Sequence, residues 1–170
     1  MPVVSVFVGA AIAFVTAWLT NKANRDHDLE KQNREHAYAL KRDVLLKVTQ
    51  CLVQTHATLK DWENAKGYVE YLDANGEAGK DEIKHLEEEV QKSWNEHWSM
   101  KLELDQAIAS ACLAVSDDLW KSAQQIERSI VQARNCIRND TLSGKTTEQV
   151  GDEILAFTKQ ARMELGIVRS

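Results

Sequence analysis

Residues 81–139 read DEIKHLEEEVQKSWNEHWSMKLELDQAIASACLAVSDDLWKSAQQIERSIVQARNCIRN, and this stretch decides the fold. Ile83, Leu86, Val90, Trp94, His97, Leu104, Ile108, Cys112, Val115, Leu119, Ala123, Ile126, Ile130, Ala133 and Ile137 recur at spacings of three, four and once seven. That period puts them on one face of an α-helix, where they must be buried against another element. No proline or glycine interrupts them, so the reading is a single helix of more than 50 residues. Asp81 is placed to cap its first amides, and Glu82 answers the helix dipole.

Upstream, no Pro or Gly falls between Asn21 and Lys66, and Val44, Val48, Leu52, Leu59, Trp62 and Val69 form a matching stripe. Asp73-Ala-Asn-Gly-Glu-Ala-Gly supplies turn residues between the two helices. Downstream, the turn at 139–146 leads to a third helix starting at Thr146, where Gln149 completes a capping box. Val150, Ile154, Phe157, Ala161 and Leu165 are its buried face. The expected fold class is all-α: a long antiparallel hairpin, turning near 73–80, joined by a third, shorter helix in a coiled-coil-like bundle over 44–170.

At the other end, VVSVFVGAAIAFVTAWLT (Val3 to Thr20) has no charged side chain across 18 residues. As a helix it is about 27 Å long, close to the roughly 30 Å of a hydrocarbon core. Residues 1–21 are therefore expected to be a transmembrane anchor. Only Met-Pro precedes the run, without a cation, which argues against a cleaved signal peptide. Ser5, Gly9, Ala13 and Ala17 recur every four residues, a small-residue face suited to helix–helix packing in a membrane. Lys22, Arg25, Lys31 and Arg34 follow the run and none precedes it, so the expected orientation is an outside N-terminus and a cytoplasmic domain at the inner membrane. Residues 22–43, with six cationic and five anionic side chains, read as a polar helical stalk.

Charge is unevenly distributed. The net charge is −5 over 170 residues, which lacks the basic excess that phosphate contacts require and sets nucleic acid aside. Residues 73–89 carry seven acidic side chains against Lys80 and Lys84, making Glu82, Glu87, Glu88 and Glu89 a candidate acidic docking tip. Counting along an uninterrupted hairpin, residue i faces roughly residue 153 minus i. This places Trp62 near Val90 and Trp94, and His56 near His97. It also returns Arg128, Arg134 and Arg138 to the level of Lys22 and Arg25, as a candidate headgroup-contacting set.

Chemistry-bearing motifs are absent. Ser143-Gly144-Lys145-Thr146 imitates the end of a phosphate-binding loop, but its first glycine would fall at Asn139 and no strand precedes it. Glu82-x-x-His85 is half of a di-iron helix signature, without the second pair or the further carboxylates. His97 between Trp94 and Trp98 suits a helix seam better than a titrating site, and the tryptophans suit a core better than a cofactor pocket. Cys51, Cys112 and Cys136 are odd in number and form no C-x-x-C pair, which fits buried free thiols in a reducing compartment. No catalytic, metal-binding or cofactor-binding residues are assigned.

The layout is that of many small bacterial membrane proteins, an architectural likeness without a diagnostic motif. The functional expectation is a single-pass, membrane-anchored interaction or scaffold protein, homo-oligomeric or docked on a membrane protein, with no catalytic activity. Two alternatives are an oligomerising, pore-forming effector regulated by its helical domain and a single-span signal transducer.

Overall fold

A computed structural model describes the backbone over residues 3–76, 79–141 and 144–167, with side chains from Thr16 onward except Ala17. The described residues form four α-helices: α1 (Val3–Asn75), α2 (Lys80–Ala111), α3 (Asp117–Asn139) and α4 (Thr147–Glu164). The chain divides after Leu40 into two units.

In the first unit every side chain from Trp18 to Tyr38 is exposed. Local contacts dominate it: an Arg34–Glu30 ion pair of 2.6 Å one turn apart, and the Lys22 ammonium 5.6 Å from the Trp18 ring centre. The expected membrane span is corrected here. Among the described residues no helix is long and apolar enough to cross a membrane. Crossing takes about 20 apolar residues, and from Lys22 onward α1 is interrupted by charge. Most of Val3 to Thr20, including the face of Ser5, Gly9, Ala13 and Ala17, lies outside the side chains described. The single-pass inner-membrane placement, with its outside N-terminus, accordingly does not stand.

The second unit, 41–170, is an antiparallel helical bundle. Thr55 pairs with Met100, Thr58 with His97 and Trp62 with Trp94, so α1 and α2 run oppositely with partners near 155 minus i. This is within two or three residues of the register counted from the sequence. Lys101 pairs with Glu127, and the Trp120 indole N–H donates to the Ile108 carbonyl at 3.2 Å, so α3 runs back along α2. Lys41 meets Glu164, and His56 meets Thr147, which closes α4 onto α1. The resulting topology is up-down-up-down, with short connections between antiparallel neighbours.

The core is one cluster, including Leu45, Val48, Leu52, Leu59, Leu104, Ile108, Ile126, Ile130, Val150 and Phe157. Each such side chain contributes about 1.5–3 kcal/mol on full burial. All five residues expected on the inner face of the last helix are buried. Its capping box forms as expected: the Gln149 amide donates to Thr146 Oγ1 at 3.3 Å, and the Thr146 amide to Gln149 Oε1 at 3.1 Å.

The structure departs from the expected continuous second helix. It breaks at residues 112–116 and yields two helices, so the bundle has four where three were expected. Ser116 is the N-cap of α3, with Asp117 and Asp118 in the first turn favouring the helix N-terminus. Cys112, expected on the stripe, is exposed at the turn, as is its neighbour Leu113 at 95%. A smaller correction applies to α2, whose N-cap is Gly79; Asp81 sits inside the first turn.

Candidate functional site

The break at 112–116 relocates the arginines. Arg134 and Arg138 run back up α3 toward the Trp62–Trp94 layer, because α3 reverses direction instead of continuing α2. Arg138 lines a cleft of about 390 Å³ with Trp62, Lys66, Val90, Gln91 and Trp94. The Arg134 guanidinium lies 5.2 Å from the Trp98 ring centre and 6.0 Å from that of Trp94, within cation–π range. Trp94 itself stacks with Trp98 at 6.2 Å and tilts against Trp62 at 4.7 Å. Arg128 is exposed on the same helix. The count that grouped these three arginines with Lys22 and Arg25 assumed an unbroken α2, and α2 ends at Ala111; Lys22 and Arg25 belong to the first unit.

Among the described residues no ion pair engages Arg134 or Arg138, and Arg134 Nη1 is buried with no hydrogen-bond partner. Burial and the neighbouring Arg138 charge pull the Arg134 pKa below its ordinary value, partly offset by the Glu127 and Asp105 carboxylates. Trp98 remains 45% exposed beside it.

Behind the face lies a polar layer. The Thr58 hydroxyl donates to the Thr55 carbonyl at 3.0 Å, so it accepts from His97 Nδ1 at 3.3 Å. The His97 Nε2 atom is left buried without a partner. His56, expected near His97, makes its hydrogen bond to another helix: Thr58 partners His97, and His56 Nε2 donates to the Thr147 carbonyl at 2.8 Å.

A second cleft, of about 370 Å³, sits where α3 ends and α4 begins. Its charges are mutually matched. Lys66 Nζ donates to the Ile137 carbonyl at 2.5 Å and to Asp140, so it caps the negative end of α3. Lys145 pairs with Glu153, and the Thr147 hydroxyl donates to Glu63 at 2.7 Å. The loop that imitates a phosphate motif thus serves as a helix start: Thr146 caps α4, and Gly144 packs on Cys136.

Glu82, Glu87, Glu88 and Glu89 are all exposed. Among the described residues none of them is in an ion pair. Glu82 and His85 border a shallow surface hollow with Asp81, Leu86 and Glu89. No cluster of three metal-ligating residues exists among the described residues. The cysteines are all free, with Cys51 buried, Cys136 partly buried and Cys112 exposed at the missed turn.

Sequence reasoning named Arg134, Arg138 and the tryptophans separately but did not assemble them. The signal that would have done so was Ser116-Asp117-Asp118, an N-cap followed by two acidic residues. Comparison with protein-family models, with curated proteins and with solved structures finds no match to this chain.

Proposed function

We propose that the chain is a non-enzymatic helical interaction module, with its docking surface on the α2–α3 face formed by Trp94, Trp98, Arg134 and Arg138. The observation that carries this reading is the contrast between two polar regions. Around Lys66 and Lys145 every cation is matched to a carboxylate, which is how a structural cluster is built. Across Trp94, Trp98, Arg134 and Arg138, aromatic surface is exposed beside guanidinium groups that have no ion-pair partner among the described residues. Tryptophan and arginine are the residue types that dominate binding energy at protein interfaces.

A photoreactive amino acid at position 98, compared with one at the exposed Leu155 on α4, tests the proposal. A protein–protein adduct forms at 98, competes away with unlabelled chain, is lost in Arg138→Ala and does not form at 155. Equal labelling at both positions, or none at 98, removes this face as the docking surface.

A further inference from the structure

We propose that the groove between α1 and α2 beyond the end of α3 receives the basic and apolar face of residues 18–29 from a second copy of the chain. Lys101 of α2 pairs with Glu127 of α3, and Arg134 of α3 lies over Trp94. At about 100° per residue, Ile83, Glu87, Val90, Trp94 and Lys101 fall within roughly 60° of one another, on the stripe that α2 turns toward α3. α3 ends at Asn139, and Arg138 lines the cleft beside Val90 and Gln91. Ile83 lies about 10 Å farther along α2, at 1.5 Å per residue. The stripe therefore runs two turns past the helix that covers it. There Val69, Glu70 and Asp73 of α1, with Lys66, Ile83, Glu87 and Val90, line a cleft of about 360 Å³. Val69, Ile83 and Val90 are only half-buried.

The lining selects an occupant by shape and charge. It offers three apolar side chains and three carboxylates, and its one cation, Lys66, already pairs with Glu70 and Asp140. Among the described residues neither Asp73 nor Glu87 is in an ion pair. A groove of this kind takes an amphipathic helix that carries cations between apolar anchors. The chain has one. Trp18, Lys22, Arg25 and Leu29 repeat the spacing of Ile83, Glu87, Val90 and Trp94, so they too share one helical face, and all four are exposed. Among the described residues Arg25 is in no ion pair, and Lys22 lies over the Trp18 ring. Laid along the groove, this face sets Lys22 and Arg25 against Asp73 and Glu87, while Trp18 and Leu29 cover the apolar lining. The contact is smaller than a standard interface, so a dissociation constant of about 10–100 μM is expected, with strong dependence on salt.

The test is sedimentation of the full chain and two charge-reversed variants, Lys22→Glu/Arg25→Glu and Asp73→Lys/Glu87→Lys. All four substituted positions are exposed, and circular dichroism checks that the fold is intact. Wild-type chain associates at 50 mM salt, and its dissociation constant rises about tenfold by 300 mM. Each variant alone loses about tenfold or more. An equimolar mixture of the two recovers near-wild-type association, because each reversed face then meets a groove of opposite charge and each reversed groove a face of opposite charge. Carbodiimide joins Lys22 to Glu87 or Asp73 in the cross-linked dimer and not in the monomer. A wild-type chain that stays monomeric at about 200 μM and low salt overturns the proposal. So does association that ignores both reversals, or a mixture that associates no better than either variant.

Discussion

His97 is fully buried; Nδ1 donates to the Thr58 hydroxyl, a hydrogen bond with the Thr55 backbone favours the charged ring, and Nε2 has no hydrogen-bond partner among the described residues. Protonating that nitrogen would bury an unpartnered N–H near Arg134 and Lys101, so desolvation, assisted by those two cations, lowers its pKa to about 4. The unfolded imidazole titrates near 6.5, so the unfolded chain takes up the proton first as pH falls. Stability is unaffected above that value and declines between pH 6.5 and 4, by about 3 kcal/mol in all at 1.36 kcal/mol per unit. Urea midpoints measured across this range should fall in the wild type and change markedly less in His97→Leu.

Glu164 shows the opposite sign. Its carboxylate accepts from the Ser116 amide at 2.9 Å and the Ser116 hydroxyl at 2.5 Å, and pairs with Lys41 at 2.7 Å. Burial alone would raise its pKa, but Lys41 and Ser116 together hold it below the ordinary carboxylate value. Its contribution is present above the unfolded value and lost as pH drops through the folded one. Glu164→Gln should cost about 1–2 kcal/mol at neutral pH, seen as a lower thermal midpoint, with the gap to wild type closing in acid. At Gly144 the constraint is steric: an added Cβ would meet Cys136 Sγ at 2.2 Å. Gly144→Ala should therefore lose about 1–3 kcal/mol, and the double variant with Cys136→Ala should recover part of it.

At the scale of helices, local signals were readable where they agreed with the hydrophobic period. The turn ending α1 at Asn75, with Gly76 at a φ of +62°, follows from Asn-Gly, and the capping box at Thr146 and Gln149 formed as written in the sequence. The break at 112–116 was hidden because Cys112 and Val115 continue the stripe of α2 in phase. Periodicity therefore outvoted the cap at Ser116. The cap is now an energetic claim: the Ser116 hydroxyl accepts from the Leu119 amide at 3.4 Å while donating to Glu164. Ser116→Ala should cost about 1–2 kcal/mol of unfolding free energy in urea titration, and Ser116→Asp less in cap strength but more through repulsion of Glu164.

For the molecule as a whole, one missed turn moved the candidate site. The helical class, the α1–α2 register and the face of α4 were legible, since each depends on spacing within a few turns. The assembly of Trp94 and Trp98 with Arg134 and Arg138 was not, since it needs α3 to reverse. The same reversal brings Lys101 between Asp105 and Glu127, both at 2.8 Å, and these carboxylates hold its ammonium above the ordinary lysine value against the pull of burial. Replacing Lys101 by Met should leave two carboxylates facing each other and lower stability by about 1–3 kcal/mol, measured by denaturant unfolding at pH 7.

Zero-length carbodiimide cross-linking, read by mass spectrometry on the monomeric band, bears most directly on this architecture. The four-helix bundle predicts amide links between Lys101 and Glu127 and between Lys41 and Glu164. In a continuous helix through residues 112–116, Lys101 and Glu127 would be roughly 39 Å apart at 1.5 Å per residue. Recovery of both links supports the reversal of α3 and with it the Trp–Arg face. Absence of the Lys101–Glu127 link, with i,i+4 links such as Lys101–Asp105 still formed, would contradict it.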